Sequence, residues 1–275
     1  MNTTDALVDR ALERHALSPM LVSVLSYREL LRNLVLKDLK LKYRGSLLGF
    51  LWSLVNPIAL TTVYTLAFNY ILRIGQPGFP FFVLLGVLAW SFFVNATTMS
   101  TVAIIDGASL IKAVRFPRAI LPIAAVLFNL AQYLLSVVVL LPAMFLLYRV
   151  PPSGPMLLFP VILGLQVTFT VGLALILSVA TASFRDVRHF VEIALWALFW
   201  TTPIVYPLTQ VPESTRWLIL LSPMSSFIVA YQRIFYEGVW PGLNIVMVCA
   251  LYAVVMFGAG ALWFVSVEDR LVERL

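Results

Sequence analysis

Six stretches of this sequence run for 20 residues or more without one Asp, Glu, Lys or Arg: 45–72, 74–105, 119–148, 150–184, 193–212 and 238–267. A helix rises 1.5 Å per residue, so about 20 apolar residues cross a hydrocarbon layer of about 30 Å. A seventh uncharged run, 217–232, is too short and follows a proline-rich approach. Only 12% of the residues are charged and mean hydropathy is +0.95, whereas a soluble domain is about a quarter charged. The chain reads as an all-α integral membrane protein with six transmembrane helices, at about 47–72, 79–101, 119–147, 157–182, 190–208 and 241–265.

The charges between these runs set an orientation. Lys and Arg number 8 in residues 1–44, 3 in 106–118, 2 in 185–188 and 2 in 268–275, while the alternate segments hold only Arg73, Arg149, Arg216 and Arg233. A bias of 15 to 4 predicts that both termini are cytoplasmic. Basic residues that follow alternate loops mark topology, so nucleic acid is not expected as a partner. Residues 1–40 hold no apolar core of the kind a secretory signal needs. The single Cys249 can form no intrachain disulfide.

Residues 26–44, SYRELLRNLVLKDLKLKYR, alternate leucines with Arg28, Arg32, Lys37, Lys40, Lys42 and Arg44 at helical spacing. This pattern predicts an amphipathic interfacial helix on the cytoplasmic leaflet, where each basic side chain near anionic headgroups contributes about 1 kcal/mol. Gly45 and Gly49 in GSLLG either bend the chain into the membrane or let another helix approach closely. Pro57 removes a hydrogen bond inside the first span, and Ser53 and Asn56 are placed to satisfy the freed backbone. In DGASLIKAVRFPR (106–118), Asp106 or Ser109 can cap a helix of about two turns, with Leu110, Ile111 and Val114 on one side and Pro117 as the stop. Residues 207–240 are broken by Pro207, Pro212 and Pro223, and their short apolar pieces predict interfacial or re-entrant helices.

No catalytic pattern appears. The span cores hold no Asp, Glu, Lys, Arg or His, the groups an ion-coupled carrier or intramembrane enzyme places there. Two histidines and one cysteine make no metal site. His189, beside Arg185, Asp186 and Arg188, reads as part of a solvated ion-pair turn. There is no G-x-x-x-x-G-K-[ST] loop, so the chain has no P-loop ATP site of its own. Aromatic rings do recur at helical spacing: Tyr64 and Phe68 in the first span, then Trp196, Phe199 and Trp200 in the fifth, with Tyr206 near its outer end. They read either as packing and interface belts or as an uncharged lining on which sugar faces stack.

KYRGSLLGFLWSLVNPIALTTVYTLAF resembles the first span of the ABC-2-type permeases that export polysaccharides: O-antigen, capsule and teichoic acid. FPRAILPIAAVLFNL, FRDVRHFVEIAL and the proline-broken segment to FYEG are similar to later parts of that family, and the likeness covers about residues 26–267. It implies the ABC-2 (type V exporter) fold: residues 1–44 as leader and interfacial helix, 45–267 as the membrane domain and 268–275 as a cytoplasmic tail. It also implies a homodimer in the bacterial inner membrane, with two copies of a separate ABC ATPase that holds the ATP and Mg; this chain would bind no cofactor. Asp106, Ser109, Leu110, Ile111, Val114 and Arg115 would then form the ATPase-coupling helix, with Arg185 and Asp186 as a second contact. Lys40, Lys42, Tyr43 and Arg44 would meet the pyrophosphate of a lipid-linked glycan. Tyr64, Phe68, Trp196, Phe199, Trp200 and Tyr206 would line its channel, and 212–237 would be the outer re-entrant helices. About 25 leading residues have no counterpart in the family. An ABC-2 permease for a drug or lipid shares every one of these features except the cargo.

Overall fold

The computed structural model describes residues 17–46 and 49–268. The first sixteen residues of the leader, Leu47 and Leu48 of GSLLG, and tail residues 269–275 lie outside the described residues. All described regular structure is helical. In chain order it comprises α1 (Leu17–Ser26), α2 (Arg28–Tyr43), α3 (Leu51–Tyr64), α4 (Phe79–Asp106), α5 (Ala108–Ala113), α6 (Ile120–Tyr148), α7 (Phe159–Ser183), α8 (Val187–Thr201), α9 (Glu213–Leu220), α10 (Pro223–Tyr231) and α11 (Leu243–Val267). α3 continues into a π-helical turn, Thr65–Ile71, and α10 into another, Gln232–Glu237.

Local chemistry sets the ends. α4 begins after Gly78, whose φ of 67° is open to glycine, with Pro80 in its first turn where a missing N–H costs nothing. α6 runs through Pro142 and ends on Arg149 in the left-handed region. α3 contains buried Pro57, which removes one hydrogen bond from its ladder, and continues beyond Tyr64 as a π-helical turn. Ser53 does not serve the freed backbone as expected, since its hydroxyl meets the Tyr43 hydroxyl at 2.6 Å. Gly45 and Gly49 have φ of 75° and 48°, and no atom lies within 4 Å of a Cβ built on either, so they bend the chain and mediate no close helix contact.

The close contact lies elsewhere. A Cβ on Gly172 of α7 would come within 2.4 Å of the Met256 carbonyl, and one on Gly260 of α11 within 2.2 Å of the Gly172 oxygen. These glycines let two apolar helices meet backbone to backbone, which is how membrane helices gain dispersion contact in the absence of a hydrophobic drive. α4 is the central helix, buried along most of its length and packed against α3, α6, α7 and α8.

Five continuous helical segments are long and apolar enough to cross a membrane: Leu51–Ile71, Phe79–Asp106, Ile120–Tyr148, Gly154–Ser183 and Leu243–Val267. The span expected at 190–208 is shorter as a helix. α8 has 15 residues and stops where Thr202, extended at ψ 135°, precedes Pro203, whose ring disfavours helix in the residue before it. The non-helical residues Thr202, Ile204 and Val205 are fully buried, and the Pro203 carbonyl accepts from Gln232 Nε2 at 2.8 Å. Irregular backbone is tolerated at this depth because protein, not lipid, surrounds it.

α9 and α10 meet at a bend of 103°. Gln210 Nε2, just before the pair, donates to the Ile74 carbonyl at 3.0 Å, and Tyr236 Oη, at its end, donates to the Pro77 carbonyl. The pair thus enters and leaves at one end of the bundle, the course expected of the re-entrant segment. Its second limb is more buried than an interfacial helix: Met224 to Tyr231 are all buried. α8 with residues 202–210 leads the chain from the end where Arg188 lies to this one. Glu268 accepts the Arg118 N–H at 2.9 Å, so the chain leaves the last helix at the end where α5 and α2 lie.

Candidate functional site

α2 lies across the start of α6, with Leu30, Leu31 and Leu34 half-buried against the bundle and none of its residues fully buried. This packing brings Lys42 over α6. Its Nζ donates to Gln132 Oε1 and lies 5.9 Å and 5.8 Å from the ring centres of Tyr43 and Phe128. Lys42 as a whole residue remains exposed, but its ammonium is drawn toward the bundle and partial burial there lowers its pKa. Tyr43 meets Ser53 and Gln132. Lys40 and Arg44 are exposed, so of the four residues expected at the pyrophosphate, Lys42 and Tyr43 meet at Gln132.

Behind Lys42 a cleft of about 520 Å³ opens between α4 and α6, lined by Asn95, Thr98, Asp106, Asn129, Gln132 and Arg188. It continues into a second recess reached by Ser53, Asn56, Ser91 and Ser136. Asn129, Gln132 and Ser136 are each more than 90% buried, yet Asn95, inside the otherwise buried α4, is exposed to the cleft. A polar lining inside an apolar bundle is costly and therefore points to use. Sequence reasoning passed over these residues. The available signal was the spacing of Asn129, Gln132 and Ser136, which puts three polar groups on one face of a span.

A second groove, about 340 Å³, lies between α3, α4 and α8. Tyr64 stacks on Phe199 at 5.5 Å, Phe199 meets Trp200 edge-on at 5.3 Å, and Trp90, absent from the expected set, packs on Phe199 at 5.8 Å. Trp196 is 70% exposed at the rim. Tyr206 joins from outside through its hydroxyl to the Trp200 carbonyl at 3.1 Å, and Phe68 packs on the core without lining the groove. Thr98 lines both the groove and the polar cleft, so the two share a wall.

The third element is α5, six residues joining α4 to α6. The expected cap is not formed. Asp106 is the last residue of α4, Gly107 takes the cap position, and no side chain bonds the first turn. Val114 is extended and lies outside the helix. Leu110 and Ile111 are half-buried, Leu110 and the exposed Ser109 lining a recess shared with Leu34 and Lys37, while Val114 and Arg115 are exposed. Arg185 and Asp186 are exposed before α8, and Arg188 and His189 both reach Glu192, at 3.1 Å and 3.8 Å, the solvated ion-pair turn that was expected.

Residues 29–236 match the family description ABC-2 type transporter. The chain belongs to the ABC-2 type transporter family. It is 40% identical over 254 residues to a Myxococcus xanthus protein named O-antigen export system permease protein RfbA, covering 90% of this chain and 96% of that one. A Klebsiella pneumoniae protein of the same name is 33% identical, with 78% and 82% covered. The polysialic acid transport protein KpsM of Escherichia coli is 24% identical, with 76% and 80% covered. Among the described residues, α2, α5 and the Arg185–Glu192 turn cluster at one end and gather their basic side chains there.

Proposed function

We propose that this chain is the permease subunit of an ATP-driven exporter that moves a lipid-linked polysaccharide, of O-antigen, capsule or teichoic-acid type, across the bacterial inner membrane. The observation that carries the reading is the 40% identity to an O-antigen export permease over 96% of its length. In this reading two copies pair, each bound to one copy of a separate ABC ATPase that holds ATP and Mg. The basic end, with both termini, faces the cytoplasm. α5 and the Arg185–Asp186 turn meet the ATPase. Lys42 and Tyr43 receive the pyrophosphate, with Lys40 and Arg44 attracting it from the surface. The row Phe190, Ile193, Trp196 and Trp200, exposed along α8, supports pairing of two subunits around the aromatic groove.

A mainly aromatic wall suits a long glycan. It offers flat apolar faces to sugar rings, with Glu192 as the one charged side chain among its lining residues. Removing two exposed rings, in Trp196→Ala combined with Trp200→Ala, is expected to slow export about tenfold or more, taking each stacking face at about 1 kcal/mol. Assembly with the ATPase should persist. Unchanged export in that variant would remove the groove from the pathway.

The test of the reading is co-expression with the candidate ATPase, purification of the complex and ATP hydrolysis in nanodiscs with and without lipid-linked glycan. Stimulation by the glycolipid supports the proposal. Stimulation by an apolar drug or phospholipid alone identifies an ABC-2 exporter of another cargo.

A further inference from the structure

Thr98 separates two cavities of opposite chemistry. On one side are rings with Glu192 among them; on the other are amides, hydroxyls, Lys42, Arg188 and Asp106. The amide side penetrates deeply. Asn95 lies 11 residues before the end of α4 at Asp106, about 16 Å along the axis, and Ser136 lies 16 residues after the start of α6, about 24 Å. The cleft therefore runs from the basic end to the middle of the hydrocarbon layer, inside a single subunit.

Its groups are not consumed by the fold. Asn95 and Asn56 make no side-chain hydrogen bond in the structure, and both are exposed to the cleft. Gln132 has Lys42 and Tyr43 on its oxygen, which leaves its NH₂ without an acceptor. Asn129 donates to the Ala125 carbonyl at 2.8 Å, and its oxygen has no donor. Asp106 stands at the mouth, and Arg188 is held by Glu192 at 3.1 Å, so Lys42 is the unpaired cation at the cleft. Lys42 and the neighbouring amides, with the Asp106 carboxylate opposing them at the mouth, suit a bound anion that must later leave, since more net positive charge would hold it too tightly. Amide NH₂ groups and an ammonium match phosphate oxygens.

Toward the other end the same three helices enclose an apolar pocket of about 260 Å³, lined by Ile58, Leu66, Leu84, Leu140 and Met144. The seam of α3, α4 and α6 thus changes from charged through amide to apolar along its length. That order fits an amphipathic molecule with an anionic head and a long hydrocarbon tail.

We propose that the seam of α3, α4 and α6 is a binding site, within one subunit, for the phosphate-bearing head and first part of the hydrocarbon tail of the lipid anchor, with Lys42, Asn95 and Gln132 holding the phosphate. This rests on the lipid-linked glycan reading and adds where the anchor sits while the sugars occupy the aromatic groove across Thr98. The lipid is held apart from the glycan, so its headgroup need not pass through a ring-lined passage that offers it no donors.

The permease–ATPase complex, in detergent and in nanodiscs of zwitterionic phospholipid, is titrated with a polyprenyl diphosphate carrying one sugar, and bound lipid is read by native mass spectrometry. Phosphatidylglycerol and inorganic pyrophosphate are titrated separately. The proposal expects retention of the diphosphate lipid in preference to both. It expects at least a tenfold loss of affinity in Gln132→Leu and in Asn95→Leu, and in Gln132→Glu, which keeps size but adds a repelling carboxylate. Leu262→Ala, exposed on α11, serves as the control. Diphosphate lipid bound equally by the folded variants and the parent overturns the site but leaves the cargo reading intact. A parent complex that binds phosphatidylglycerol and not the diphosphate lipid overturns the cargo reading as well. Equal binding of pyrophosphate and lipid assigns the cleft to a free anion and overturns the role of the apolar seam.

Discussion

A leucine at position 172 is expected to leave almost no folded permease in the membrane. The Cβ alone would sit 2.4 Å from the Met256 carbonyl and 2.5 Å from the Phe257 nitrogen, and both are backbone atoms of a helix that cannot retreat without parting α7 from α11. Overpacking against flexible side chains costs about 1–3 kcal/mol. Against backbone, with three further atoms to place, the cost rises to several kcal/mol, comparable with the roughly 5–15 kcal/mol that holds a typical native protein together. Gly164→Leu on the same helix is the matched comparison, because no atom lies within 4 Å of its Cβ. Membrane accumulation and monodisperse extraction should be normal for Gly164→Leu and nearly lost for Gly172→Leu. Equal yields would show that α7 and α11 do not pack as described.

Reversing the outward side of α5 is expected to sever the ATPase without harming the permease. Val114 is 53% exposed, and Arg115 is exposed with no partner in the structure. Substituting Val114→Asp with Arg115→Glu therefore removes little from the bundle. Such exposed changes ordinarily alter stability by less than about 0.5 kcal/mol. A docked groove, however, would meet two new charges, one of them reversed. Permease-dependent stimulation of ATP hydrolysis should fall tenfold or more while the permease accumulates normally. Leu110→Asp and Ile111→Asp should act differently. These half-buried side chains anchor α5, and burying an unpaired charge there costs several kcal/mol, so loss of the permease itself is expected. Full stimulation by the Val114/Arg115 variant would place the ATPase contact elsewhere.

These contrasts show what one dimension carries. The limits of α4 and α6 follow from uncharged length and from punctuation by Gly78, Gly107 and Pro117, and those helices stand where the apolar runs predict. α8 falls short of its run because hydropathy counts Thr202 to Pro207 as membrane-compatible without registering that Pro203 stops a helix. Capping by Asp106 or Ser109 fails for a related reason. The apolar period of α4 persists to Asp106, so the helix uses the residue expected to begin the next one.

The site was legible in part. Tyr64, Phe199 and Trp200 come together from two spans whose separate spacings were readable but whose meeting was not, while Trp90 was hidden within a run of buried neighbours. Asn56, Asn95 and Gln132 look like isolated polar residues in three apolar strings, and only the packing of α3, α4 and α6 makes them a single lining. The close approach of Gly172 and Gly260 was equally invisible, because an unremarkable glycine and a contact glycine read alike until the facing helix is known.

The central claim is met most directly by transport itself. Inverted vesicles containing this permease and its ATPase are loaded from outside with a lipid-linked O-antigen, and protection of the glycan from an added glycosidase is followed with and without ATP. The expected result is protection that requires ATP, requires both subunits and forms about tenfold or more slowly in the Trp196/Trp200 variant. Protection without ATP, or an active complex that hydrolyses ATP and moves other lipids while leaving every tested glycan exposed, would contradict it.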